Sequence, residues 1–196
     1  MEDKTLSSAE SLQLIDSMIN RARNRFSENG HLYLVWGWTV FVIALSQFFV
    51  ISFKLHQQPQ LLWMLTFAPW LYMMVYLNRQ KKAETVRTYT EEITSYVWLV
   101  FVVMMFLNGF IVGKSGFIQL IMPLALVLYG MPTAISGIVL RFRPLVLGGT
   151  ACGLLGVASL YVSYAQQHLL LAAAVLVAWI VPGYLLRQRY NASNKK

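Results

Sequence analysis

The run LYLVWGWTVFVIALSQFFVISF, from Leu32 to Phe53, decides the fold. It contains no Asp, Glu, Lys, Arg or His. Its length suits a helix crossing a hydrocarbon core of ~30 Å, which takes about 20 residues. Five further stretches share its character: Leu61–Leu77, Ile93–Val112, Phe117–Leu140, Leu145–Tyr164 and Leu169–Leu186. None alternates polar and apolar residues as a transmembrane barrel strand must. The sequence therefore predicts an all-α integral membrane bundle of six spans over residues 31–187. The second and sixth spans are short and are expected to stand upright.

Composition agrees with this reading. Hydrophobic residues make up 57% of the chain and charged residues 12%, where a soluble domain carries about 25% charged residues. The charges fall in short clusters between apolar runs, which is how spans and loops alternate. The start, Met1-Glu2-Asp3-Lys4, is acidic and leads into a polar segment, so the first span is expected to act as its own insertion signal. Cys152, the single cysteine, lies inside a span, and no intramolecular disulfide is possible.

Basic residues set the orientation. With the N-terminus in the cytoplasm, Lys4, Arg21, Arg23, Arg25, Arg79, Lys81, Lys82, Arg87, Arg141, Arg143, Arg187, Arg189, Lys195 and Lys196 all fall inside. Only Lys54 and Lys114 remain outside. Basic loops resist translocation, so the expected topology is N-in and C-in, in the inner (plasma) membrane, with a cytoplasmic tail at 188–196. The net charge of +8 then serves insertion first and attraction to anionic headgroups second. Nothing in the chain resembles a nucleic-acid-reading motif.

Residues 1–30 are expected to form a cytoplasmic amphipathic helix. Ser7 and Glu10 have capping-box spacing. Leu12, Ile15, Ile19, Ala22 and Phe26 recur every three or four residues, giving one apolar stripe. The stripe suits docking on the inner leaflet, on the bundle's own ends, or on a partner protein or second copy.

Within the spans, three groups stand out. Pro69, Pro123, Pro132 and Pro182 lie in the even spans, where each removes a backbone donor and kinks a helix. They read as hinges or as the ordinary prolines of membrane helices. Gly149, Gly153 and Gly156 with Ala174 and Ala178 suggest close packing of the fifth span on the sixth, or a homodimer seam. Gln47, Asn108 and Gln119 cannot bond back to their own helix as hydroxyls do. They serve as interhelical glue or border a small polar cavity in the outer half.

The spans as bounded here carry no ionisable side chain, which weighs against proton relays and ion pumps. No Gly-x-Ser-x-Gly, Cys-x-x-Cys or His-x-x-x-His is present, and no catalytic residues, metal ligands or cofactors are expected. Arg25, Glu28, His31, Glu91 and Glu92 form an expected cluster at the inner interface, read as a solvated ion network. The stretch Phe26-Ser27-Glu28-Asn29-Gly30-His31, running into Tyr33-Leu34-Val35-Trp36-Gly37-Trp38, resembles the opening of a group of small six-span bacterial membrane proteins without an assigned activity. In size and span count the chain also resembles the substrate-binding subunits of energy-coupling-factor vitamin transporters, an architectural likeness only. The expected function is interaction with lipid or protein at the cytoplasmic face. The alternative is a small-solute transporter or its membrane-embedded binding subunit.

Overall fold

A computed structural model describes residues 30–83 and 89–193, and these are helical with short connections. The amphipathic helix expected before the first span, with Arg25 and Glu28, lies outside the described residues. Among the described residues, six helices are long and apolar enough to cross a membrane: His31–Ser52, Pro59–Arg79, Glu92–Ser115, Ile118–Val139, Arg143–Tyr161 and Tyr164–Ala192. In backbone terms the first span is α1 (His31–Ser52). A 3-10 segment, Pro59–Thr66, runs into α2 (Phe67–Ala83), and α3 covers Tyr89–Ser115. A 3-10 turn leads into α4 (Ile121–Val139), and α5 covers Arg143–Ala158. The sixth span is α6 (Tyr164–Val175), a π turn (Leu176–Ile180) and α7 (Val181–Ser193).

The prolines act through their position. Pro123 sits in the first turn of α4, where its missing N–H would have no helical partner anyway. Pro132 is buried inside α4, which continues through it as one helix. Pro69 has no N–H for the Leu65 carbonyl, and the chain up to Thr66 is wound as 3-10 rather than α. Pro182 likewise has none for Ala178, and the ladder there loosens into the π turn just before it.

The core is built on the pair α4 and α5, the most extensive contact in the bundle. Their connection is only Leu140 to Phe142. Phe142 N–H donates to the Gly137 carbonyl at 2.8 Å and Arg141 N–H to that of Ile138 at 3.0 Å. Arg141 stands at φ 49°, so a basic residue fills the left-handed position that glycine usually takes in this helix-ending motif. Lys54, at φ 51°, ends α1 in the same way.

Beyond that turn the two backbones touch. A Cβ on Gly149 would lie 2.5 Å from the Ala134 nitrogen, and one on Gly130 would lie 2.6 Å from the Gly149 carbonyl oxygen. Gly137 meets Val146 and Gly156 meets Pro123 in the same manner. The tightest glycine seam thus joins the fifth span to the fourth rather than to the sixth. Contact with the sixth span comes through Gly148, whose Cβ would lie 2.6 Å from the Cα of Ala178. Cys152 is buried beside it, with Sγ 3.8 Å from the Ala174 carbonyl. A Cβ on Gly153 would meet nothing within 4 Å.

The other helices add to this pair in order of burial. α1 packs along the sixth span, where Gly37 lets Trp179 and Ile180 approach. α3 is held by aromatic rings: Trp98 and Phe101 meet Tyr129 of α4, Trp179 of the π turn and Tyr33 of α1 at centroid distances of 5.1 to 6.1 Å. Trp179 Nε1–H donates to Thr133 Oγ1 at 2.9 Å, which satisfies the indole in the interior. The second span sits at the periphery, tied to α1 by Trp36 Nε1–H to Met73 Sδ at 3.4 Å.

These contacts make a direct test. Gly149→Ala is expected to lower the thermal midpoint in detergent, at a cost of about 1–3 kcal/mol from overpacking. Gly153→Ala is expected to hold or raise it, since alanine favours a helix by up to ~1 kcal/mol over glycine. Equal responses of the two variants would refute the α4–α5 seam.

Candidate functional site

The polar side chains singled out in the spans divide. Gln47 is buried on α1, on the same stripe as Gly37, Val40 and Ala44, and its Oε1 carries no hydrogen bond. Asn108 is buried on α3, and its Nδ2–H donates to the Ile121 carbonyl at 3.4 Å. That contact ties α3 to the start of α4. Gln119 leaves its side chain exposed and contributes its backbone carbonyl instead.

The partner of that carbonyl is Gln167, a residue assigned from sequence to the loop before the sixth span. The helix in fact begins at Tyr164, because Ser163 and Gln166 form a capping box. Ser163-Tyr164-Ala165-Gln166 is itself the sequence signature of such a start. The earlier start draws Gln167 and His168 into the first turns of α6, where both are buried. Gln167 Nε2–H donates to the Ser159 carbonyl at 3.0 Å and to the Gln119 carbonyl at 3.1 Å, so one amide joins the ends of three spans. His168 Nδ1–H donates to the Tyr164 carbonyl at 2.9 Å, which leaves Nε2 as the lone-pair nitrogen. The sixth span therefore does contain an ionisable group.

The register of α1 against the sixth span, set where Gly37 meets Ile180, brings Gln47 to the depth of these first turns of α6. Gln47 Oε1, Gln167 Oε1 and His168 Nε2 are buried and accept no hydrogen bond among the described residues. This end of the core thus holds three buried acceptors without a donor among the described residues. No three His, Cys, Asp or Glu side chains come together among the described residues.

The opposite end is rich in donors. Here α1 begins, α2 ends, and α7 carries Arg187 and Arg189. A cleft of about 330 Å³ opens between these elements, lined by His31, Tyr72, Tyr76, Arg187, Tyr190 and Asn191. His31 Nε2 and the Tyr72 hydroxyl are hydrogen-bonded at 2.8 Å. The imidazole also packs on Tyr76 at 5.1 Å, and the two tyrosines stack at 6.0 Å. Arg187 makes no ion pair among the described residues, and no carboxylate lines the cleft. Of the cluster expected at this interface, His31 is built into the cleft, while Glu92 lies exposed on α3. The tyrosines, Arg187 and Asn191 carried no motif that could have found them.

Gln167→Leu is expected to lose both carbonyl contacts and to destabilise the bundle by about 1–3 kcal/mol, read as a lower thermal midpoint. Gln119→Leu, which keeps the backbone carbonyl, is expected to change it little; a reversed order would show that Gln167 does not tie the spans. No family model, curated protein or solved structure matches the chain.

Proposed function

We propose that this chain is a non-enzymatic multi-pass protein of the inner (plasma) membrane, with both termini in the cytoplasm, that works by interaction at its cytoplasmic face. The observation that carries the reading is the gathering of donors at one end. Arg79, Arg141, Arg143, Arg187 and Arg189 flank the end where the aromatic cleft opens, and only Glu91 and Glu92 represent the acids among the described residues. A basic end of this kind attracts anionic lipid headgroups or an acidic protein surface. The touching backbones of the fourth, fifth and sixth spans support interaction over passage, because they leave no lumen along those seams.

A second reading, a small-solute carrier or binding subunit, draws on the acceptors of Gln47, Gln167 and His168 at the other end. Polar groups inside a membrane are costly and are kept where they serve structure or a pathway. Solute uptake by proteoliposomes, abolished by His168→Phe, would favour this reading over the first.

Two measurements test the main reading. In a Cys152→Ala background, a cysteine placed at His56 is expected to react with an impermeant maleimide in intact cells. One placed at Lys82 is expected to react only after permeabilisation, and the opposite pattern would reverse the orientation. The chain purified in mild detergent is expected to retain anionic lipid or a cytoplasmic protein. Replacing Arg141, Arg143, Arg187 and Arg189 together by Gln should remove most of it, with Arg21, Arg23 and Arg25 left to hold the topology. Unchanged retention by that variant would sink the proposal.

A further inference from the structure

We propose that the cleft between α1, α2 and α7 is a specific site for the phosphate of an anionic lipid, with Arg187 as its ion-pairing residue. This rests on the reading of the arginine end as the interacting end, and it names the ligand that end takes.

The chemistry of the lining is one-sided. Arg187 offers a planar fork of N–H donors that matches phosphate oxygens. Asn191 adds an amide donor and Tyr190 a hydroxyl, and none of the lining residues is an acid. The first turn of α1 starts at His31, and its N-cap, Gly30, supplies no side-chain acceptor. Arg187 is also the lining residue that forms no ion pair among the described residues, whereas His31 is engaged with Tyr72.

The surroundings select a lipid over a soluble phosphate. Tyr72, Tyr76 and Tyr190 place amphipathic rings in the walls, and such rings settle at headgroup depth. One turn along from the cleft, α2 and α7 have exposed apolar flanks in Leu71, Val75 and the ring of Tyr184. An acyl chain can lie along these flanks while its phosphate stays against Arg187. A soluble phosphate compound would use the donors and leave the flanks unused. The cleft, of about 330 Å³, is open on one side and leaves room for a phosphate group against Arg187.

The test is native mass spectrometry of the full chain released from micelles titrated with phosphatidylglycerol or phosphatidylcholine. The native chain is expected to keep one phosphatidylglycerol in preference to phosphatidylcholine. Arg187→Gln is expected to weaken that adduct about tenfold, as loss of a charge-assisted pair does. Arg141→Gln, at the same end but outside the cleft, is expected to weaken it far less, through loss of diffuse attraction alone. Equal weakening by both variants would mean diffuse attraction to the basic end, overturning the cleft and sparing the wider reading. Displacement of the adduct by millimolar glycerol 3-phosphate would move the site to a soluble ligand and overturn the lipid assignment. A native chain that retains no lipid but still binds a cytoplasmic protein through its arginines would overturn the cleft alone.

Discussion

Contact between the backbones of α4 and α5 is the constraint on which the remaining packing depends. Lipid chains are as apolar as leucine, so helices in a bilayer gain little from hiding apolar side chains against one another. Dispersion at short range and interhelical hydrogen bonds must hold them instead. Gly130, Gly137, Gly149 and Gly156 allow the approach, and the three-residue turn around Arg141 keeps the two helices in register. The sixth span then settles against Gly148 and the first against the sixth through Gly37. The third is joined by the rings around Trp179 rather than by small residues.

Irregular backbone appears where this packing needs it. The π turn at Leu176–Ile180 absorbs the donor missing at Pro182 and carries Trp179 into the aromatic group and onto Thr133. The long 3-10 segment before α2 rests on α1 and brings Trp63 against the core, while the second span itself stays peripheral. Strain is accepted at Arg141 and Lys54, both left-handed, where glycine would have been easier for the backbone. Both are also charged residues at span ends, so the helix stop and the membrane boundary coincide at one position.

The two ends of the bundle are chemically opposite. One presents guanidinium, imidazole, amide and phenol groups around an open cleft. The other buries carbonyl and imidazole acceptors among the first turns of α6, with the Gln167 amide bridging Ser159 and Gln119. Anion binding is proposed for the first end on the ground of its charge. The second ties the fourth, fifth and sixth spans together through Gln167, and its unpaired acceptors are the ground for the solute-carrier alternative.

What the sequence by itself determined is the set of six apolar spans and the all-helical class, because hydropathy over ~20 residues is a local property that the bilayer reads directly. Span edges were less secure. Hydropathy alone puts His168 outside the sixth span, whereas the Ser163–Gln166 capping box starts the helix earlier and draws it inside. Which glycines meet which helix could only be decided in three dimensions. Gly148, Gly149 and Gly153 are nearly adjacent in sequence, yet they face the sixth span, the fourth span and open space. Spacing places residues on a face of one helix, but the rotation of that helix against its neighbours is a property of the whole bundle. The cleft depended on tertiary structure for the same reason. His31 and Arg187 come from opposite ends of the chain, and only the antiparallel pairing of the first span with the sixth brings them to one surface.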